Sequence, residues 1–200
     1  MKRDNWKREK RTIIQEYYEQ IQRDEVEPIR TEILKNILNS IRPDSEILYT
    51  GLKKENDLKV LNEFDLKIND IDRVCQQSEN GEFSRFEEDK IYQAIICLDD
   101  LGTVFPEDWE VLMELFRKSL NYEGLMYLAV KREDENEIEE AYYMALEQEL
   151  PMEYGEMGIN GYHFYPDVNF VRTVLEMTKF EIKEEHITEN YYYFVASAIV

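Results

Sequence analysis

The sequence has few of the residues that build redox, metal or nucleic-acid sites. It contains two cysteines and two histidines in 200 residues, and 24 basic residues against 44 acidic ones. Cys75 and Cys97 form no C-x-x-C pair, so neither a disulfide framework nor a zinc site is predicted. His163 and His186 are far apart in the sequence, and we find no metal-ligand constellation. The formal net charge of −20 repels phosphate backbones and anionic lipids, so neither nucleic acid nor a membrane is an expected partner.

Long apolar runs and flexible linkers are also missing. No window approaches the roughly 18 apolar residues of a membrane-spanning helix. The basic stretch 1–11 is not followed by the apolar run of a secretory signal, so the cytoplasm is the expected compartment. This stretch is either an interaction arm or, as the charge pattern favours, a solvated first helical turn. Without linkers or repeats we predict one domain over 1–200, with N-terminal helices in 1–42 and an α/β core in 46–200.

Alternating helices and strands follow from the apolar periodicity. Helical spacing predicts helices over 6–22, 28–41, 56–64, 106–120, 133–149 and after Pro166. Alternation or short apolar runs predict strands over 46–50, 66–71, 92–98, 125–130, 180–184 and 191–200, with a turn at 121–124. The order favours a mainly parallel sheet covered on both faces, whose last two strands pair antiparallel. The predicted fold class is therefore a three-layer α/β fold that ends in an antiparallel C-terminal hairpin.

Residues 47–72 have the layout of a nucleotide-cofactor half-site: strand, loop, helix and second strand. Gly51 lies in the loop, where the backbone of such a site approaches its cofactor. Asp72 ends the second strand, where a carboxylate binds ribose hydroxyls; the alternative is a solvated acid at a strand end. Asp99 follows another buried strand, and it either contacts a ligand at the sheet edge or caps the next turn.

These blocks resemble, in their order, the class I S-adenosylmethionine-dependent methyltransferases. Ile47 and Leu48 match apolar positions of the family's first motif, and Gly51 matches its first glycine. Segment 94–101 resembles the family's fourth strand and the loop after it. Segment 161–194 resembles the substrate-side segment and terminal hairpin of members that act on small molecules. The resemblance implies a Rossmann-like fold, S-adenosylmethionine as cofactor and a small-molecule acceptor.

Carried over residue by residue, the resemblance implies that Gly51, Asp72, Leu98 and Asp99 bind the cofactor. Lys53, which stands at a family glycine, is a further cofactor-binding candidate, because Lys53 or Lys54 could pair with the cofactor's carboxylate by a different route.

The two catalytic candidates each have an alternative interpretation. His163 is a candidate general base because imidazole titrates near neutrality, or else it is a hydrogen-bonded packing residue among aromatics. Tyr191 is the second candidate, but the tyrosines at 191–193 are also typical of an alternating strand.

The departures from the family pattern concentrate in the glycine loop. The family's aspartate is replaced by Tyr49, and its second and third glycines by Lys53 and Glu55. Side chains at these positions obstruct the approach of the cofactor if the loop keeps the family shape. Glu55 would also place negative charge near the cofactor's carboxylate, which is unfavourable when desolvated. The stretch between Asp72 and Tyr92 is short for a helix and a strand, which implies a reduced adenine wall.

Three functional hypotheses follow. The first is a methyltransferase acting on a small molecule. The second is a catalytically silent relative that keeps the fold as a binding or assembly module, with a protein partner, and the loop substitutions favour it. The third, a Rossmann oxidoreductase, is weaker because the loop lacks the dinucleotide glycines.

Overall fold

The computed structural model describes residues 1–11, 25–51, 54–71, 75, 77–78, 80–83, 86, 89–158 and 162–199. The helices in these ranges are α1 (Arg3–Arg11), α2 (Pro28–Ser40), α3 (Glu55–Leu61), α4 (Trp109–Ser119), α5 (Glu135–Glu147) and α6 (Val168–Met177), with short 3₁₀ turns at Leu101–Thr103 and Pro106–Asp108. The strands are β1 (Glu46–Gly51), β2 (Lys67–Asp70), β3 (Tyr92–Leu98), β4 (Leu120–Lys131), β5 (Glu156–Met157), β6 (His163–Phe164), β7 (Phe180–Ile187) and β8 (Tyr191–Ala198). None of the helices in the described ranges is long and apolar enough to cross a membrane.

Six strands form one sheet in the order β2-β1-β3-β4-β8-β7. β2, β1, β3 and β4 pair in parallel, whereas β8 pairs antiparallel with both β4 and β7. The short strands β5 and β6 pair separately as an antiparallel ribbon. The predicted parallel sheet with an antiparallel C-terminal hairpin is therefore confirmed.

Helices cover both faces of the sheet because its central strands are apolar on both sides. Residues 94–98 of β3 are all fully buried, as expected for a parallel strand between two helical layers. Ile33 of α2 and Val60 of α3 pack on one face. Phe116 of α4 and Leu175 of α6 pack on the other. The arrangement is the predicted three-layer fold.

Several elements differ from the sequence-based prediction in their bounds or existence. The turn predicted at 121–124 lies inside β4, which already pairs with β3 at Leu120. The register between β3 and β4 shifts across this stretch, and Glu123 has a left-handed φ of 65°, so these residues bulge out of the sheet. The ribbon of β5 and β6 was not predicted, because two-residue strands leave no periodicity. The first helix, predicted over 6–22, is observed as Arg3–Arg11, and its remainder lies outside the described residues.

The basic helix α1 packs against the domain rather than extending into solvent. Trp6 is only 1% exposed. Arg3 binds Glu156 through two short hydrogen bonds, and Lys7 Nζ donates to Asp108 Oδ2 at 2.7 Å. The expectation of a solvated first turn is therefore wrong for Arg3 and Lys7. Their charges are bound by acidic residues more than a hundred positions away in the sequence.

Substitution of Gly51 tests the close packing between β1 and β3. Its φ is +113°, and an added Cβ would lie 1.7 Å from the Leu98 carbonyl oxygen, which is rigid backbone. We expect Gly51→Ala to lower the free energy of unfolding by more than the about 1–3 kcal/mol of backbone strain alone, measured by urea denaturation. Gly81→Ala is the control, since Gly81 has a φ of +87° but meets only the flexible end of Arg11, at 3.0 Å. Equal losses in the two variants would contradict the predicted collision.

Candidate functional site

The carboxyl ends of three parallel strands meet at one edge of the sheet, here called the carboxyl edge. β1 ends there at Gly51, β3 at Leu98 and β4 at Lys131. Gly51 lies opposite Leu98, which lies opposite Ala129. Gly51, Leu98 and Asp99 are therefore brought together as predicted, in the region where α/β sheets bind ligands.

A buried ion triad of Arg30, Asp57 and Asp99 occupies this edge. Arg30 comes from α2, Asp57 from the first turn of α3, and Asp99 directly follows β3. Arg30 Nη2 donates to Asp57 Oδ2 at 2.6 Å, and Arg30 Nη1 donates to Asp99 Oδ2 at 2.5 Å. The three side chains are at most 1% exposed. Two carboxylates share one guanidinium, so the triad keeps a net negative charge.

Two buried tyrosines surround the triad. Tyr49 Oη donates to Asp57 Oδ2 at 3.5 Å, and Tyr127 Oη donates to the Arg30 carbonyl at 3.0 Å. Burial, and then the charge of Asp57, raise the pKa of Tyr49 well above its usual range, so its hydroxyl stays protonated. Burial lowers the pKa of Arg30, but the charges of Asp99 and Asp57 outweigh it and hold that pKa well above its usual value. The guanidinium of Arg30 is therefore protonated at any ordinary pH.

One carboxylate oxygen of Asp99 has no hydrogen-bond partner among the described residues. Its φ is 65°, and its amide donates to the Ala129 carbonyl at 3.3 Å. Asp99 Oδ2 accepts from Arg30, whereas Oδ1 is buried with no hydrogen-bond partner among the described residues. A buried acceptor without a donor costs free energy. A hydrogen bond from a further donor to Asp99 Oδ1 would therefore be favourable. The observed side chain binds Arg30 and does not cap the next turn, while its role toward a cofactor stays a prediction.

Asp100 forms a second polar contact on this edge. Its Oδ2 accepts from Thr50 Oγ1 at 2.6 Å and from the Cys75 amide at 3.2 Å. The Cys75 and Cys97 sulfur atoms lie 3.6 Å apart, and both thiols are free and fully buried. Burial raises the pKa of both thiols. Asp100 thus fixes the connection after β2 against the ends of β1 and β3.

His163 lies against the loop that follows β3. An added Cβ on Gly102 would lie 1.6 Å from His163 Cε1, so only glycine leaves room for the ring. The ring also contacts Tyr165 edge-on, with centroids 3.8 Å apart. Burial, with a smaller effect from Lys131, holds the pKa of His163 well below its usual range. The imidazole is therefore neutral at pH 7. Its contacts are those of a residue packed among aromatic rings, and its role as a general base stays a prediction.

Tyr191 lies at the start of β8, opposite Lys131. It is 2% exposed and stacks on Tyr193 with ring centroids 5.6 Å apart. Tyr193 Oη in turn donates to Glu27 Oε2 at 2.9 Å. Tyr191 belongs to the apolar cluster that α2 and α3 cover, as an alternating strand residue would.

Three further positions, Lys53, Glu55 and Asp72, were predicted to lie near the cofactor. Lys53 and Asp72 lie outside the described residues, so their cofactor roles stay predictions. Glu55 was expected to direct its charge at the cofactor, but its side chain is 82% exposed and pairs with Lys59 at 2.7 Å. The i,i+4 pair on α3 holds the carboxylate toward solvent, and its effect on a bound cofactor stays a prediction. Within the described part of the chain, no group of three or more His, Cys, Asp or Glu side chains is placed to hold a metal ion.

Comparison with known proteins gives a fold but no sequence family. No protein-family model and no curated protein matches the sequence. A methyltransferase dependent on S-adenosylmethionine from Methanosarcina mazei matches at TM-score 0.59 and 11% identity, over 88% of this chain and 100% of its own. The 1,6-didemethyltoxoflavin-N1-methyltransferase of Burkholderia thailandensis, solved with S-adenosylhomocysteine, matches at TM-score 0.60 and 11% identity, over 86% and 78%. The chain has the fold of the class I S-adenosylmethionine-dependent methyltransferases.

A third methyltransferase-fold structure extends the match over nearly the whole chain. Magnesium protoporphyrin IX methyltransferase of Synechocystis PCC 6803, with bound S-adenosylhomocysteine, matches at TM-score 0.57 and 11% identity, over 92% of this chain and 93% of its own. The predicted Rossmann-like methyltransferase fold is thereby confirmed. At such low identity the likeness concerns the fold alone.

The described side chains of the ion triad present no uncommitted cation to S-adenosylmethionine. The cofactor has a carboxylate that needs a cation or N–H donors, and the guanidinium of Arg30 is already bound by two carboxylates. Tyr49, where the family has aspartate, adds a buried ring beside the triad. Within the described triad, Asp99 Oδ1 is the atom that offers a contact, since it could accept from the cofactor's ammonium group. The fold of a methyltransferase is present, but the polar groups at its edge bind one another.

Arg30 was not among the predicted site residues, although the sequence contains a signal for it. Arg30 lies on the apolar face of α2, next to Ile33 and Leu34 in helical spacing, and all three are buried. Arginine is almost never fully buried without a charged partner. A lone arginine on such a face therefore indicates a buried carboxylate elsewhere in the chain.

The triad can be tested through stability. Arg30→Met keeps the aliphatic stem but leaves two buried carboxylates without a counter-charge, so we expect a loss of about 3–5 kcal/mol in the free energy of unfolding. Adding Asp57→Asn and Asp99→Asn should recover most of that loss. Lys35→Met on the same helix is the matched control, because its pair with Glu63, at 3.9 Å, is exposed and should contribute less than about 1 kcal/mol. A loss in Arg30→Met no larger than in Lys35→Met would contradict the triad.

His163 predicts a pH dependence of stability. Its pKa is lowered on folding, so the unfolded chain binds a proton that the folded protein excludes. Its contribution is complete above the unfolded pKa of about 6.5 and falls by up to about 1.4 kcal/mol per pH unit below it. Urea denaturation at several pH values should show this slope in the wild type and in His186→Gln, but not in His163→Phe. The same slope in all three proteins would show that His163 is not buried as a neutral ring.

Proposed function

We propose that this chain is a catalytically silent protein of methyltransferase fold that serves as a binding module. The carrying observation is the ion triad, which places a guanidinium and two carboxylates, all buried, at the edge where the fold would bind its cofactor. The replacement of the family aspartate by Tyr49 supports the same conclusion, because the tyrosine hydroxyl donates into the triad.

Opening the ion triad would cost free energy. To admit the carboxylate of S-adenosylmethionine, Arg30 would have to leave at least one of its two partners. Separating a buried charge from its partner costs about 3–5 kcal/mol. A site with an intrinsic micromolar dissociation constant would then bind only at about 0.1–5 mM. Such an affinity is too low for a cofactor to be retained.

The alternative proposal is a small-molecule methyltransferase. Two observations favour it: Asp99 Oδ1 has room for a donor, and His163 lies at the end of β3 as a neutral imidazole. In that case Lys53 and Asp72 would bind the carboxylate and the ribose of S-adenosylmethionine, and His163 would position or deprotonate the acceptor.

Calorimetric titration distinguishes the two proposals. We expect no saturable heat when the wild type is titrated with S-adenosylmethionine or S-adenosylhomocysteine at micromolar concentrations, which places binding weaker than about −8.2 kcal/mol. Lys53→Gly with Glu55→Gly should not restore binding, because Glu55 already faces solvent. The variant Asp57→Asn with Asp99→Asn, which releases the guanidinium of Arg30 from its two carboxylates, should bind more tightly than the wild type if the triad is the obstacle. Submicromolar binding by the wild type would reject the silent proposal and support the enzyme.

A further inference from the structure

An open cleft of about 720 Å³ lies at the carboxyl end of β4, apart from the ion triad. The residue after β4, the starts of α5 and α6, and the turn between β7 and β8 form its walls. Arg30, Asp57 and Asp99 are not among the described residues that line it. The cleft is therefore a separate candidate site, here called the acidic cleft.

Carboxylates dominate the lining of the acidic cleft. Asp134 and Asp167 cap α5 and α6 and accept hydrogen bonds from backbone amides of those helices, so structure alone explains them. Glu135 and Glu189 have no such capping role and are exposed at the rim. Arg132 is the basic residue among the described lining residues. The cleft therefore carries more negative charge than its helix caps require.

Aromatic rings form the walls between these charges. Phe164 and Phe170 contact each other edge-on, with ring centroids 5.2 Å apart, and Tyr154 and Tyr192 complete the lining. Arg132 Cζ lies 4.9 Å from the centre of the Tyr192 ring. A guanidinium over an aromatic face is a favourable contact, and here the cleft already makes one with its own chain. Aromatic faces and carboxylates together are complementary to a Lys or Arg side chain.

An exposed aromatic surface continues from the cleft along α5. The ring of Tyr154 lies 5.6 Å from that of Tyr142, which lies 6.2 Å from that of Tyr143. Tyr143 is 62% exposed and Leu146 is 52% exposed, while the small Ala145 faces the core. This surface, made of Tyr142, Tyr143, Leu146 and Tyr154, is here called the α5 patch. Adjacent exposed apolar side chains of this size are typical of an interaction site.

The rim charges act on the patch itself. Tyr154 joins the cleft to the patch, and the pKa of its hydroxyl is raised by partial desolvation and by the charges of Glu139 and Glu135. Glu135 and Tyr154 both line the acidic cleft, so a basic group there would meet a carboxylate and an aromatic face together.

Charge determines which occupant fits. A second copy of this chain would bring another formal charge of −20 to an acidic surface, which opposes self-association. A basic segment is attracted by the same field, which increases its rate of encounter. We propose that the acidic cleft and the α5 patch together bind a basic, amphipathic peptide segment of a partner protein, with a Lys or Arg side chain in the cleft and apolar residues on the patch. The proposal rests on the binding-module function and names the chemistry of its partner.

The test uses a fluorescein-labelled 12-residue peptide of alternating Lys and Leu pairs, whose binding is followed by fluorescence anisotropy in about 150 mM salt. We expect saturable binding by the wild type and none by the same peptide with Glu in place of Lys. Tyr154→Ala with Glu135→Gln should weaken binding at least tenfold. Tyr122→Ala with Glu123→Gln removes one exposed tyrosine and one exposed acid at the opposite end of β4, and should change affinity less than twofold. Thermal melting establishes that both variants are folded.

Each outcome decides the proposal. Equal losses in the two double variants would reduce the binding to non-specific charge attraction and overturn the proposed surface, as would a wild type that does not bind. A dimer in sedimentation of the protein alone that Tyr154→Ala dissociates would assign the patch to a second copy instead. Tight binding of S-adenosylmethionine with peptide binding intact would overturn only the silent proposal, so the two failures are distinguishable.

Discussion

The burial of one guanidinium between two carboxylates constrains the whole carboxyl edge of this protein. Arg30 joins three elements through its side chain, namely α2, the start of α3 and the residue after β3, and its carbonyl oxygen accepts a hydrogen bond from Tyr127 of β4. A buried ion pair adds little net stability compared with a well-packed apolar group, but removal of one member is expensive. The triad therefore acts mainly as a positional constraint, since every element that contributes a charge must stay in place to satisfy the others. A ligand that entered this edge would have to replace contacts that are already made.

The fold was largely predictable because it depends on patterns that are local in the sequence. The apolar run 92–98 predicted a buried parallel strand with the observed bounds, and the short separation between the last two strands predicted their antiparallel pairing. The bulge at Glu123 was not predicted, because turn residues within a strand look the same as turn residues between elements. The candidate site was less predictable, since Arg30 meets Asp57 and Asp99 from 27 and 69 positions away. No periodicity connects residues so far apart, and only the burial of a charge on an apolar helix face indicates the contact.

The similarity to methyltransferases concerns the layers of the fold and not the polar side chains of a site. At 11% identity the chain still matches the Methanosarcina mazei structure over 88% of its length, because apolar residues at the right periods are enough to build the layers. The polar groups of the edge are a handful of side chains, and they can change without altering those periods. Tyr49 illustrates this point: it is buried like its neighbours in β1, yet it places a ring where the family has a charge.

The two outer strands of the sheet limit how this protein can meet other chains. Among the described strands, β2 and β7 are the outermost and each pairs with one neighbour, so their outer backbone groups could in principle accept another strand. β7 carries Glu181, Lys183 and Glu184, and β2 carries Lys67 and Asp70, all of them exposed. Charges along an outer strand have to be desolvated before a neighbour can add to it, which discourages extension of the sheet and edge-to-edge aggregation. Contacts with other molecules are therefore expected through the helices and loops. At high protein concentration the charged outer strands should keep the sheets of different molecules from pairing.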